Sequence, residues 1–83
     1  MSVAVWLEID AGGGLRVPVT GELVLTGNTP VALRLLDKGI AEEAVEFIAS
    51  NRFWKDEDAH CQGFRAALHQ FCSDHPKAVI RVQ

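Results

Sequence analysis

Three side chains of metal-ligand type, His69, Cys72 and His75, stand at i, i+3 and i+6 near the end of this chain, with His60 and Cys61 upstream. On a helix, steps of three keep such groups on adjacent turns within a sector of roughly 120°, a spacing compatible in principle with a metal-binding edge. The surrounding pattern points elsewhere. Cys61, Phe64, Leu68, Phe71 and Cys72 recur at steps of three, four, three and one. At ~100° per residue they fall within roughly 100°, the signature of one buried helical face. Cys72 is needed in that face as a small hydrophobe. His69 then points toward the polar side, and His75 sits at the fraying end before Pro76. We therefore expect no metal and no cofactor, with His69, Cys72 and His75 the residues a metal would use if one bound. A bridge between the cysteines is also unexpected. Eleven helical residues separate them by roughly 16 Å, against the ~4.4–6.8 Å that a disulfide allows between Cα atoms.

Other chemistry-bearing residues read in the same way. Gly12, Gly13 and Gly14 resemble a phosphate-binding loop only in composition, because such a loop must open a helix and these lead into another apolar, alternating segment. A hairpin turn accounts for them. Ser50 and Ser73 lack the strained elbow, base and orienting group of a nucleophile, and Asp74–His75 is a chain-end dipeptide. Glu42, Glu43 and Glu46 share one face of a helix, and an open face does not separate carboxylate pKa values as acid–base catalysis needs. No catalytic residue is expected.

The elements that would position these groups follow from periodicity. Val3, Val5, Leu7 and Ile9 alternate with Ala4, Trp6, Glu8 and Asp10, a half-buried strand. Leu15, Val17 and Val19 alternate on the far side of the glycines, completing a β-hairpin whose second strand ends near Pro18 or lies at an edge. Trp6 and Arg16 are expected on its outward face. Glu22 to Thr26 reads as a third short strand. Thr29 and Pro30 start a helix over Val31 to Lys38, with Leu33 and Leu36 inward and Leu35 a further inward candidate, stopped by Gly39 in the left-handed conformation. A second helix runs from Ala41 to about Phe53, with Ile40, Ala44 and Ile48 on one side flanked by Ala41, Val45 and Phe47. Asp56, Glu57 and Asp58 cap a third, from about Glu57 to Asp74, and Lys77 to Val82 forms a terminal strand. The expected fold is a small two-layer α+β domain, residues 1–83, with three helices on one face of a mainly antiparallel sheet. The terminal strand should pair with the first and leave the Pro18 strand outside.

The chain has 83 residues, 48% of them hydrophobic, with 11 acidic and 8 basic side chains and a net charge of −3. This composition suits one folded domain and leaves apolar surface to spare. It gives no basic patch for nucleic acid or an anionic membrane. No apolar run approaches the ~20 residues that span a bilayer, and Met1 to Asp10 has no signal-peptide core, so a cytoplasmic protein is expected. The segment Leu35 to Ile48 has the outline of two helices joined at a glycine. A DNA reader would carry basic side chains on its second helix, where Glu42, Glu43 and Glu46 stand.

What remains are surfaces. Trp6 and Arg16 on the hairpin, the acidic row Glu42, Glu43 and Glu46, and the cluster Arg52, Phe53 and Trp54 at a helix junction are the interaction candidates, aromatic and arginine residues being common anchors of interfaces. Trp54 has a second role open to it, capping the core. The expected function is a non-catalytic protein–protein interaction module, with a homodimer among its expected assemblies. Two other functions are consistent with the residues. One is a small-molecule or metal-binding domain built on the His60–His75 helix with Trp6 or Trp54. The other is an acidic inhibitor of a nucleic-acid-binding protein.

Overall fold

A computed structural model describes residues 2–27, 31–50, 54 and 59–83. Strands β1 (Ser2–Asp10), β2 (Arg16–Pro18) and β3 (Leu23–Thr26) are followed by a 3₁₀ helix (Val31–Leu36), α1 (Ala41–Ala49), α2 (Ala59–Asp74) and β4 (Val79–Val82). The four strands form one antiparallel sheet in which β2, β3 and β4 all pair with β1. The inner face of the sheet, Val3, Val5, Leu7, Leu25 and Ile80, is buried against a core that includes Ile48, Phe64 and Leu68 from the helices. This is the small α+β fold expected, with two α-helices and a 3₁₀ turn in place of three helices. Among the described residues no helix is long and apolar enough to cross a membrane.

The hydrogen bonds fix which edge of β1 each strand uses. Ala4 exchanges both backbone bonds with Gln83 beyond β4, whereas Leu7 turns its N–H and carbonyl to Thr20 and Val19. Neighbouring residues of a strand alternate edges by this parity. β4 therefore lies along one edge of β1, and β2 and β3 lie end to end along the other. Ile9 faces Val17 and Val5 faces Leu23, so four steps on β1 match six on the returning strand. The two extra residues make a bulge between Pro18 and Leu23. Thr20 Oγ1 fills the gap by accepting the Leu7 N–H at 3.0 Å. The hairpin tip follows expectation: Gly12, Gly13 and Gly14 all take positive φ. Its apolar side chains do not, since Leu15 is 63% exposed and Ile9 41%. The substantial packing of β2 is with β1 alone, and the helical layer does not cover that end.

The segment before α1 departs most from expectation. The first helix is a six-residue 3₁₀ helix. Its i and i+3 side chains eclipse, which places Leu33 in the core with Leu36 beside it and turns Leu35 outward. The left-handed residue is Lys38 (φ 69°), one position before Gly39. Gly39 is favoured for another reason: a Cβ there would stand a tight 3.1 Å from the Leu36 carbonyl oxygen. This turn runs along the free edge of β4. Lys38 N–H donates to Ile80 O, Ile80 N–H to Gly39 O and Ala41 N–H to Ala78 O, all within 2.7–2.8 Å. Asp37 completes the edge, its Oδ1 accepting Val82 N–H at 2.9 Å and Arg81 Nε at 3.2 Å.

α1 starts at Ile40, which is extended and offers no side-chain cap, so backbone carbonyls of Ala78 and Pro76 take its first N–H groups. It ends at Ala49 rather than near Phe53, because Ser50 is extended (ψ 141°). From α2, the Arg65 guanidinium donates to the carbonyls of Ile48 and Ala49, capping that end with a cation, which also suits the helix dipole. The expected starts at Thr29–Pro30 and at Asp56–Asp58 lie outside the described residues.

Burial works to raise the pKa of the Asp37 carboxyl, but the bonds from Val82 and Arg81 outweigh it and leave the pKa below the usual 3.8. A carboxyl depressed by folding stabilises the native state above its unfolded pKa, and that contribution is lost as the pH falls through the lower folded value. Asp37→Ala should lower stability by about 1–3 kcal/mol at neutral pH in urea denaturation, since it strips a buried-edge N–H and a guanidinium of their acceptor. The gap from the native sequence should narrow as the pH drops below about 4.

Candidate functional site

The histidine- and cysteine-bearing helix is a packing element. Cys61, Phe64, Leu68 and Cys72 are buried, Phe71 is partly buried, and both thiols are free. Burial raises the Cys72 thiol to about 11, leaving it protonated and a poor nucleophile or ligand at neutral pH. Among the described residues no three histidine, cysteine or acidic side chains lie close enough to hold a metal ion, so His69, Cys72 and His75 are not brought together as a ligand set. The other groups of chemical interest have structural partners. Ser73 Oγ donates to the His69 carbonyl (2.9 Å), and Asp74 receives the Gln70 amide (2.8 Å). His60 Nε2 accepts the Thr26 N–H that points off the β3 edge (3.3 Å). At the glycine turn the Asp10 carboxylate accepts the Gly12 N–H (2.8 Å), placing a negative charge where a phosphate loop would need none.

Trp6 and Arg16 do lie on the same outward face of the sheet, but not side by side. Arg81 stands opposite Trp6 and Arg16 opposite Asp10, roughly 13 Å further along the strand. Trp6 Nε1 donates to Glu8 Oε2 at 2.8 Å. The other oxygen of Glu8 meets Arg81 Nη1 at 3.5 Å. These bonds continue through Arg81 to Asp37, so the face is a connected network that ties β1, β4 and the turn at Asp37 together. The register across strands is a long-range property, which is why pairing within the hairpin did not reveal Arg81.

Trp54 is 3% exposed and packs in the core against Phe64, with ring centroids 6.1 Å apart. The Arg65 guanidinium stands 5.7 Å from its ring centroid. Its role is packing, the second of the two open to it, and its side chain is not available to a partner. Arg52 and Phe53 lie outside the described residues. The acidic row is on the surface as expected, with Glu42, Glu43 and Glu46 all exposed. Glu42 pairs with Lys77 at 2.9 Å, a surface contact worth at most about 1 kcal/mol.

The surface that sequence reasoning did not assemble lies between the 3₁₀ helix and α1. Leu35, 81% exposed, and Phe47, 40% exposed, line one groove with Leu36, Ile40 and Ala44, and Glu43 forms its rim. The groove is shallow and open to solvent, with a volume of about 350 Å³. One sequence signal for it exists. At ~100° per residue the apolar arc of α1, from Val45 through Ala41, Ile48 and Ala44 to Ile40 and Phe47, spans roughly 160°. Its fully buried members, Ala41, Ala44 and Ile48, cover only part of that arc. The exposed remainder faces Leu35, whose outward direction depends on the 3₁₀ period and could not be read from an α-helical count.

No protein-family model, curated protein or solved structure matches this chain.

If the thiols serve packing alone, neither should react with a maleimide or iodoacetamide in the native protein at mildly alkaline pH, and both should react in denaturant. Mass spectrometry distinguishes the two states. A native protein that is labelled quickly at Cys72 would contradict the buried, protonated thiol.

Proposed function

We propose that this chain is a non-catalytic protein-interaction module and that the groove between the 3₁₀ helix and α1 is its binding surface. The observation that carries this reading is the exposure of Leu35. A leucine standing almost fully in water beside a preformed apolar groove, with Phe47 across from it, is a concentrated apolar patch of the kind that marks interaction sites. Covering one such leucine is worth about 1.5–3 kcal/mol, and Phe47 adds to it. The groove offers a ligand a single carboxylate, from Glu43, and otherwise apolar side chains. That chemistry favours the side chains of another protein over a polar metabolite. The same proposal includes a cytoplasmic location, with which two free thiols are consistent.

A photo-crosslinking amino acid substituted at Leu35, in cells that naturally make the protein, should form a covalent adduct with a protein. The same residue at exposed Leu15 should not. Leu35→Asp should abolish the complex while changing stability by no more than about 0.5 kcal/mol, as expected of an exposed side chain. Equal adducts from both positions, or none from Leu35, would remove the groove as the binding surface.

A further inference from the structure

The outer edges of the sheet are finished in different ways. β4's is taken up by the turn from Asp37 to Ala41. β2 turns the backbone of Arg16 and Pro18 outward, and proline has no N–H to offer. β3 has neither protection. Leu23 and Leu25 turn their backbone groups to β1, by the parity that gives Ala4 to Gln83, so Val24 and Thr26 turn theirs outward. His60 takes the Thr26 N–H. Among the described residues nothing meets the Val24 N–H or carbonyl, and Val24 is 48% exposed. An open apolar edge of this kind is a template for another strand. Beside it, Leu23, Val24, Ala59, His60, Gly63 and Phe64 line an open groove between β3 and α2. Glycine weakens a helix interior, and the packing of this chain does not call for one at Gly63, where a Cβ would meet nothing within 4 Å.

We infer that β3 is the seam of a homodimer, in which two copies pair their β3 strands antiparallel about a two-fold axis at Val24. A hydrogen-bonded antiparallel pair needs an N–H and a carbonyl from each of two residues. The axis makes the open pair on Val24 complete itself on its own copy, as an isologous contact requires. Leu23 of one copy then faces Leu25 of the other, and Glu22 faces Thr26, whose N–H His60 must release. No residue from Leu23 to Thr26 is ionisable, so no like charges meet at the centre. The axis stands perpendicular to the sheet. Two four-stranded sheets therefore join edge to edge with both helical layers on one side. The two α2 helices run past each other along Ala59 and Gly63, whose small size permits close approach. A strand from another protein would use Val24 and leave that helix face uncovered; a second copy covers both. The seam shares no residue with the groove at Leu35 and does not depend on it.

The test uses the full chain in sedimentation equilibrium, with amide hydrogen exchange as a local readout. The chain should sediment at twice its monomer mass as concentration rises, and the Val24 amide should become at least about tenfold more protected from exchange over the same range. Val24→Pro removes the outward N–H without breaking a bond inside the chain, and should abolish the dimer. Gly63→Leu fills the open space beside α2 and improves its helix propensity. It should weaken the dimer at least about tenfold while the monomer stays folded, so the seam is tested even if the proline variant fails to fold. Val24→Cys should form a disulfide between copies under mild oxidation, since a hydrogen-bonded pair sets Cα atoms about 5.5 Å apart, within the ~4.4–6.8 Å a disulfide allows. Leu35→Ser should leave the dimer intact. A strict monomer at about 1 mM would overturn the inference, as would a dimer that survives Gly63→Leu or one that Leu35→Ser dissociates. None of these results bears on whether a partner protein occupies the groove, which the Leu35 cross-linker reads separately.

Discussion

β1 is the strand to which every other strand hydrogen-bonds, and its inner residues Val3, Val5 and Leu7 are almost entirely excluded from water. From Ala4 to Glu8 that strand has neighbours along both edges, which leaves little of its middle open to a foreign chain. Its partners come from both ends of the sequence. β2 and β3 follow it directly, while β4 arrives after two helices. Closing β4 onto β1 therefore fixes everything between them. The turn at Asp37–Ala41 then covers β4's remaining edge, and Asp37 holds the last strand by a charge-assisted bond to Val82 N–H. A chain of 83 residues has little core to spare. These long-range backbone pairings, together with burial on one face of β1, determine the position of each later element.

The groove is a consequence of that closure. Its two walls are short helical elements whose ends are held by groups outside themselves. The 3₁₀ helix ends in the turn that pairs with Ile80. α1 takes its N-terminal cap from the Pro76 and Ala78 carbonyls and its C-terminal cap from Arg65. A nine-residue helix would be marginal alone in water. Anchoring at the N-terminal end replaces the capping side chain that Ile40 lacks. The offset between a 3₁₀ and an α period then leaves one apolar residue on each wall, Leu35 and Phe47, without a place in the core.

Legibility in the sequence followed the range of the interactions. The alternation of β1, the glycine turn and the buried stripe of α2 could all be read from local period and punctuation. So could the outward acidic row on α1. Features set by distant residues could not. The bulge between Pro18 and Leu23 depends on which edge of β1 the returning strand follows. The 3₁₀ winding of Val31–Leu36 depends on docking against β4, since α-helical propensity alone favours an ordinary helix over those residues. Gly39 did signal a turn, but its role is close approach to the Leu36 carbonyl, and the left-handed backbone fell to Lys38. For Trp54 the sequence leaned only slightly toward the core over the surface, and its contacts with Phe64 and Arg65 settle it as packing. The candidate site was legible only as loose parts: Phe47 and the glutamates were visible, and Leu35, the residue that makes them a surface, was left open between the inward and outward sides of its helix.

The polar chemistry of the chain is largely committed to holding backbone in place. Thr20 fills a bulge, His60 covers an edge N–H, Asp37 and Arg81 secure the last strand, and Arg65 closes a helix. A groove framed by elements held in this way is preformed. An occupant need not order its walls on arrival, and ordering is a major part of what association costs. On the interaction reading proposed above, apolar contact with Leu35 and Phe47 would then be available almost in full to binding.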